Sequence, residues 1–444
     1  MRRSTTSLEG GSVVKIVRAR GAFTYVAVLT LLIGLSPAAD AAQAVVRGDV
    51  EYQLAYGYDQ GELVENAVTL EMALEGRLGF QGKVHIGVDG RIPLSHEDEK
   101  VEIELGEAYL DLYLDTTDWR IGRQVVSWGT ADGINPTNVI NPRTPFSPAE
   151  LLSEGALRGK PVLALLGAYY LPNGSSLTGV GIAEFVPAAG GEEMLETLAS
   201  RIGAQVQGTP LPVAGPEPVP TDGSQFEWAV RGEGLVSGHN VYVTYFRGWD
   251  DYPAAWIEYL PISEDTFIPA GVAAKYRQVQ KFGLATAGTI GDAGVWTELS
   301  YTVFDKLAAL DGPGALSSND PYLEAVIGAD YSFKNGVTLS GQVIYHGGGS
   351  LLTPYKEPGA DIEAKTYVLG IARYSPEPGH NLEGIVLANP RDAGMLAAGR
   401  YTYDITQAVK LTVGLSHVIA DSGSEFHELK SRANLITAAM QFSF

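Results

Sequence analysis

Leu435-Ile-Thr-Ala-Ala-Met-Gln-Phe-Ser-Phe444 decides how this chain is read. Ile436, Ala438, Met440, Phe442 and Phe444 fall on one side of an extended strand. Leu435, Thr437, Ala439, Gln441 and Ser443 fall on the other, because strand side chains alternate with a period of two. One face is apolar and ends in two aromatic rings; the other is small and polar. A strand that is greasy outside and wet inside suits the wall of a barrel in a bilayer. Taken alone, the stretch also fits the edge of a soluble sandwich. The rest of the chain argues against that.

The N-terminal residues read as a targeting segment rather than fold. Arg2, Arg3, Lys15, Arg18 and Arg20 precede an apolar run from Ala22 to Leu35, and Ala39-Asp-Ala41 and Ala42-Gln-Ala44 follow. A basic segment, an apolar core and an Ala-x-Ala site make a secretory signal peptide, with cleavage expected after Ala41 or Ala44. The run is shorter than the ~20 residues a spanning helix needs. The domain expectation is therefore a signal peptide over 1–44 and one barrel over 45–444. No later stretch can span as a helix: the apolar Leu151 to Tyr170 is broken by Glu154, Arg158, Lys160 and Pro161. A chain that crosses a bilayer without apolar helices must close a barrel, since every backbone group needs an internal partner. The chain has no cysteine, which excludes a disulfide framework and a lipoprotein anchor. Without residues 1–44, 26 basic and 50 acidic residues remain, a net charge of −24. That balance argues against nucleic acid as a partner.

Short alternating segments then repeat between turn signals. Val50 to Tyr56, Val68 to Leu74 and Val84 to Val88 each put apolar residues on one side and charged or small ones on the other. The fourth segment changes phase between Leu105 and Ala108, so a bulge at Gly106-Glu107 is expected. Strands follow over 119–126, 160–171, 175–186, 226–235, 241–249, 274–290, 295–304, 323–333, 337–347, 362–374, 381–388, 396–404 and 409–420. Lys334-Asn-Gly336 is a hairpin turn between two of them. With the final strand the count is 18, and both chain ends share one side. The pair around Asn389 to Met395 has the weakest turn signal, so 16 is the alternative. Long excursions are expected over about 127–159, 187–223 and 250–272. Within the second, 191–203 has helical spacing and 209–221 reads as proline-rich loop. The fold class is all-β, a transmembrane antiparallel up-and-down barrel.

On this reading the inward residues include Glu107, Tyr109, Asp111, Arg120, Glu298, Glu324 and Asp330, which are the pore-lining candidates. Asp49, Glu51, Glu71, Glu75 and Asp89 join them. Inward cations are few: Arg120, Lys410 and Arg123. Rings of carboxylates favour cations in a pore. Strict alternation points Arg123 toward lipid, where a mid-membrane Arg costs ~2–4 kcal/mol. A bulge at Gly122 would turn it inward to pair with Glu107 and Asp111. The loop after Val126 carries Asp132-Gly and two Asn-Pro pairs, yet also Trp128, Ile134, Val139, Ile140 and Phe146. It is too apolar for a solvated loop, so it should fold over the barrel mouth, with Trp128, Asp132, Asn135, Asn141 and Arg143 as mouth residues. Catalytic signals are weak. His346-Gly-Gly-Gly349 lacks a Gly-x-Ser-x-Gly partner, and Gly155 to Pro161 lacks phosphate-loop spacing. The seven histidines are scattered, and Glu97-Asp-Glu99 reads as solvated loop rather than ion site. No catalytic residue, metal or cofactor is expected.

The terminal Phe442-Ser-Phe444 resembles the C-terminal assembly signal of bacterial outer-membrane barrels. Gly122-Arg-Gln124, Ser127-Trp-Gly129 and the following Asn-Pro pairs resemble a group of proteobacterial outer-membrane porins related to the alginate-export family. The resemblance covers about 25 residues plus the two chain ends. It implies one large barrel in the outer membrane, with extracellular loops folded over a pore. It also implies contact with outer-membrane lipid and lipopolysaccharide, and with the barrel-assembly machinery through Phe442 and Phe444. Alginate-family lumens are arginine-rich and this one reads as acidic, so alginate is not carried over. The leading expectation is a diffusion channel for small hydrophilic, cation-favoured solutes. The alternatives are a barrel for hydrophobic or lipid-like cargo, and a plugged barrel acting in adhesion or anchoring.

Overall fold

The computed structural model describes residues 44–95, 100–142, 159–263 and 266–444. The signal-peptide expectation, Arg143, Phe146 and Glu97-Asp98-Glu99 lie outside them, and Ala44 already begins the first strand. The first half of the chain gives β1 (Ala44–Gly57), β2 (Glu62–Leu78), β3 (Gly82–Pro93), β4 (Glu102–Tyr113), β5 (Thr117–Gln124), β6 (Val162–Tyr170) and β7 (Ser176–Ile182). Helix α1 (Gly191–Gln207), β8 (Val213–Glu217), β9 (Glu227–Val236), β10 (His239–Trp249), β11 (Ala254–Ser263) and β12 (Thr266–Lys275) follow. Then come β13 (Gln278–Ile290), β14 (Ala293–Phe304), β15 (Tyr322–Ser332), β16 (Val337–His346), β17 (Lys365–Tyr374) and β18 (His380–Asn389). The chain ends with β19 (Gly394–Asp404), β20 (Val409–Ile419), the short helix α2 (Lys430–Ala433) and β21 (Leu435–Ser443).

Eighteen of these strands pair antiparallel with their neighbours, and β21 closes the ring on β1 from Asp49↔Ser443 to Gly57↔Leu435. Phe444 extends the seam by exchanging backbone hydrogen bonds with Gly48, at 2.9 and 3.1 Å. A closed ring leaves no unpaired edge, which is what a barrel wall requires. Each of the 18 expected strands corresponds to a wall strand, and the pair flanking 390–393 is real. The phase change in β4 is a bulge: Ile86 faces Ala108 but Val88 faces Leu105, so β4 carries one extra residue at 106–107.

Exposure sorts the two faces. The outward column includes Phe282, Tyr301, Ile327, Leu339, Ile436, Phe442 and Phe444, all exposed. Trp228, Tyr245 and Phe282 form one row of outward rings, with centroids 5.1 Å apart, near the long-loop end. Tyr331 and Phe333 meet edge to face at the short-turn end, where Phe442 and Phe444 also lie, stacked. From Leu323, the register partner of Tyr301, to Tyr331 the strand rises about 26 Å, or about 20 Å along a barrel axis tilted ~40°. That separation of aromatic rows suits the apolar band of a transmembrane barrel, about 25 Å tall.

Two expectations need correction. Residues 209–221 are not all loop and 250–272 is not an open loop. There β8, β11 and β12 form a separate three-stranded sheet, β8 parallel to β12. It is stable because Ala255, Ile257, Val272 and Ala274 pack with Leu195, Leu198, Ala199 and Ile202 of α1. Pro216 is tolerated because β8 is an edge strand. The expected strand 274–290 is accordingly split: Tyr276 and Arg277 separate β12 from β13.

Candidate functional site

The chain leaves β5 at Gln124 and does not stay at the mouth. Residues 125–142 enter the lumen and cross it. Gln124 starts the crossing: its side chain is fully buried and its amide donates to the Ala164 carbonyl at 2.9 Å. Asn141 ties the two stalks together. Its oxygen accepts from Val126 N at 2.7 Å, and its amide donates to the carbonyls of Gln124 at 3.1 Å and Lys160 at 2.7 Å. Val126, Trp128, Val139 and Ile140 pack on inward residues of the next strands, among them Val162, Val180, Ile182, Phe246 and Val279. Arg231 on β9 donates to the Trp128 carbonyl at 3.3 Å and stacks on the Tyr242 ring at 4.0 Å.

The grip at mid-crossing is Glu298 on β14, which is fully buried. One oxygen accepts from Thr130 N, from Thr130 Oγ1 at 3.0 Å and from Ala131 N at 2.8 Å. The other accepts from Thr137 N at 3.0 Å and Thr137 Oγ1 at 2.8 Å. Five donors on one carboxylate hold both sides of the loop tip. Beyond Glu298, Asp132 pairs with Arg373 on β17 at 3.5 Å. Strand β17 stands nine strands from β5 in either direction round the 18-strand ring, so the loop spans the barrel from wall to opposite wall. Arg373 continues into Glu383 at 2.6 Å, which also holds Arg400 at 2.6 Å.

A second insert, residues 420–434, fills the other side. Glu425 accepts from Tyr367 Oη at 2.9 Å and Asn389 Nδ2 at 2.7 Å, from Ser350 Oγ, and pairs with Lys365 at 3.0 Å. Phe426 and Ala433 bury against the inward apolar residues of β14–β20, such as Val326, Ile344, Leu387 and Val418. Helix α1 roofs the long-loop end: Arg201 bonds Glu357 and Glu428, and Glu193 pairs with Arg432 at 3.0 Å. Between the crossing loop, α1 and the loops after β10, β14 and β16 lies a cavity of about 300 Å³.

The remaining inner wall, β1–β4, is polar and open. Asp49, Glu71, Asp89 and Glu104 lie in one register row across four adjacent strands, continued by Ser443 on β21. Glu71, Asp89 and Glu104 are exposed although they face inward. Below this row, Asp111 is 4% exposed and takes a bidentate bond from Arg120 at 2.6 and 3.0 Å. Arg120 covers the Tyr109 ring at 3.9 Å, and that ring stacks on His85 at 5.0 Å.

The pore-lining candidates therefore divide. Asp111, Tyr109 and Arg120 meet in one cluster on the inner wall, as the alternation predicts. Glu107 accepts from Val125 N at 2.7 Å and so anchors the loop stalk. Glu298 and Glu324 do not line a passage. Glu298 is consumed by the loop, and Glu324 is 2% exposed beside His346 at 3.5 Å. Asp330 faces inward and is exposed near the short-turn end. Among the loop candidates, Asp132 and Asn141 hold the crossing in place, Trp128 packs on the wall, and Asn135 lines the cavity.

Arg123 is a further correction. The expected bulge at Gly122 is absent, because β5 pairs in continuous register with both neighbours; Gly122 has only φ +134°, and a Cβ there would fall 2.2 Å from the Ala108 carbonyl oxygen. Arg123 binds neither Glu107 nor Asp111. Its register partners Ala108 and Leu163 belong to the outer column, and its guanidinium is held by the Leu105 carbonyl at 3.1 Å and Glu184 at 3.9 Å. Inward cations are also more numerous than expected. Lys83, Arg91, Lys365, Arg373 and Arg400 each pair with an inward-facing carboxylate. The open acidity is a property of the β1–β4 wall, not of the whole lumen. Sequence reasoning missed Thr137, Gln124 and Glu425, whose roles depend on partners far away in the chain.

No protein-family model matches the chain, and no curated protein matches it, so the kinship with alginate-export porins has no family match behind it. Solved structures do match. A loop-deletion mutant of OmpT, an outer membrane protein of Vibrio cholerae, is 10% identical with TM-score 0.41, covering 91% of this chain and 100% of that one. A mutant of the Rh. blastica porin is 10% identical with TM-score 0.41, covering 90% and 100%. The barrel assignment itself rests on the strand pairing described above.

Proposed function

We propose that this chain is an outer-membrane channel for passive diffusion of small hydrophilic solutes, with preference for cations. The observation that carries this reading is the row Asp49, Glu71, Asp89 and Glu104. These carboxylates cross four adjacent strands on an inner wall that, among the described residues, neither lumen insert covers at this row. Carboxylate rows lower the energy of a passing cation and raise that of an anion. The crossing loop narrows the lumen and sends traffic past this wall. The apolar loop residues do not speak for lipid-like cargo, because Trp128, Val139 and Ile140 are spent on packing against β6–β13.

The two lumen inserts and the α1 roof support a second reading, a plugged barrel that serves in surface attachment. Single-channel recording of the refolded protein separates the two. The channel reading expects stable conductance, with a reversal potential of cation-selective sign in asymmetric salt. Asp89→Asn with Glu104→Gln should move that potential toward zero. A folded barrel with no conductance would remove the channel reading and leave the plugged one. An anion-selective reversal potential would remove the role given to the β1–β4 wall.

A further inference from the structure

The cavity of about 300 Å³ on the far side of the crossing loop has a polar lining that the fold does not satisfy. Its size lies at the lower end of small-molecule sites, about 300–1,000 Å³. Lys281 projects inward from β13 and makes no hydrogen bond or ion pair among the described residues. Its register partner Thr302 is fully buried, with an Oγ1 that has no hydrogen-bond partner. Arg277 is 5% exposed and lies over the Phe304 ring at 3.5 Å. One of its terminal nitrogens donates to the Ser318 carbonyl at 2.6 Å. Its Nε makes no hydrogen bond, the nearest carboxylate oxygen being Asp250 Oδ2 at 3.7 Å. On the crossing loop, Asn135 donates to the Gly133 carbonyl at 3.0 Å while its own oxygen is buried and unpaired.

Buried polar atoms without partners are rare, because each costs the desolvation of the group. Here they converge on one space with complementary signs. On the cavity lining Lys281 and Arg277 offer donors and Asn135 offers an acceptor, while Thr302 lies behind the lining. Asp251 and Asp320 also line the space, which disfavours a plain anion and favours a ligand that carries donors as well. We propose that this cavity binds a small hydroxy- or amino-carboxylate, with its carboxylate received by Lys281 and Arg277 and its hydroxyl or ammonium by Asn135. The crossing loop thereby becomes part of a binding site and not only a constriction. This goes beyond diffusion past the β1–β4 wall, and it holds whether or not the barrel conducts.

The test is isothermal titration of the full barrel in detergent with glutamine, gluconate and glucose. Glutamine and gluconate should bind and glucose should not; binding by one carboxylate alone identifies the amino or hydroxy class. Lys281→Met should weaken binding by about tenfold or more, the loss of a charged hydrogen bond. Lys281→Arg should restore most of it. Lys281 makes no hydrogen bond or ion pair among the described residues and its charge reaches the buried Glu227 only at longer range, so the variant should fold, and heat-modifiable gel migration checks that it does. Carboxylates that bind no better than glucose, or Lys281→Met binding like the parent, would overturn the proposal. The heats are read without any current, so a failed conductance test and a failed binding test remain separate results.

Discussion

Glu298→Gln is the most direct perturbation of the crossing loop. The carboxylate accepts five hydrogen bonds, three on one oxygen and two on the other. An amide keeps the shape but replaces one acceptor with a donor. The less damaging orientation places its nitrogen toward Thr137. The hydroxyl there can turn and accept, but the Thr137 N–H is fixed by the backbone and loses its partner. An orphaned buried N–H costs about 1–3 kcal/mol, and the remaining bonds lose the charge assistance that roughly doubles their strength. The anchoring should fall by about 3–5 kcal/mol in total. At 1.4 kcal/mol per decade, the released fraction of the loop should rise by at least about a hundredfold. The chain has no cysteine, so a single thiol reports cleanly. Val139 is 8% exposed against the inner wall, and Val139→Cys is nearly isosteric. Its maleimide labelling rate should rise by about that factor when Glu298→Gln is added, while the β circular dichroism of the barrel stays unchanged. A rise of less than about threefold in a folded barrel would refute the claim that Glu298 holds the loop across the lumen.

Other consequences can be checked singly. Arg120→Ala leaves Asp111 buried with only the Tyr113 hydroxyl at 3.2 Å, and should cost about 2–4 kcal/mol in urea refolding, less than a fully buried pair because Arg120 is one-third exposed. Adding Asp111→Asn should recover part of that loss. Deleting residues 127–140 should not simply widen the pore: it bares Val162, Val180, Ile182 and Phe246 to water at about 25 cal/mol per Å², so the deletion should lower the unfolding midpoint and bind hydrophobic dyes. The Tyr276 phenol is pushed up to about 12 by burial first and then by Glu192, Asp251 and Asp250. The unfolded chain releases this proton near pH 10 while the folded chain keeps it, so this group lowers stability as pH rises through the window from 10 to about 12. Tyr276→Phe should flatten that part of the alkaline stability slope.

The barrel was legible because its signal is local. Alternation over ten residues and short turns such as Lys334-Asn335-Gly336 locate a strand without knowledge of its neighbour. Even the bulge at Gly106-Glu107 shows as a phase change within one strand. The β8–β12–β11 sheet was not legible, for the opposite reason. Prolines 216, 261 and 269 interrupt it, and its apolar residues answer to α1 rather than to a two-residue period. The role of Glu298 was also out of reach. An inward carboxylate looks the same in a strand whether it faces water or five donors. Those donors lie 161 to 168 residues earlier in the chain. Arg123 shows a narrower failure: the expected bulge at Gly122 is absent from the register, and the partner was assigned to acids of the preceding strand although Arg120 already occupies Asp111.

The patterning of the inner columns explains why the lumen is divided as it is. A wall of 18 strands encloses more space than side chains can fill. From β6 to β13 the inward residues include Val162, Val180, Ile182, Phe246 and Val279. From β14 to β20 they include Val326, Ile344, Leu369, Leu387 and Val418. Such columns cannot stand against water without cost, so each has an insert over it, and a carboxylate is central to each attachment: Glu298 of the wall holds the crossing loop, and Glu425 of the second insert is held by the wall. The columns of β1–β4 carry Asp49, Glu71, Asp89 and Glu104 and need no cover. The same residue choices that make two sectors bind their inserts therefore leave the third sector hydrated. Any aqueous route through the barrel is set by which inner columns are charged, and the crossing loop follows from that pattern.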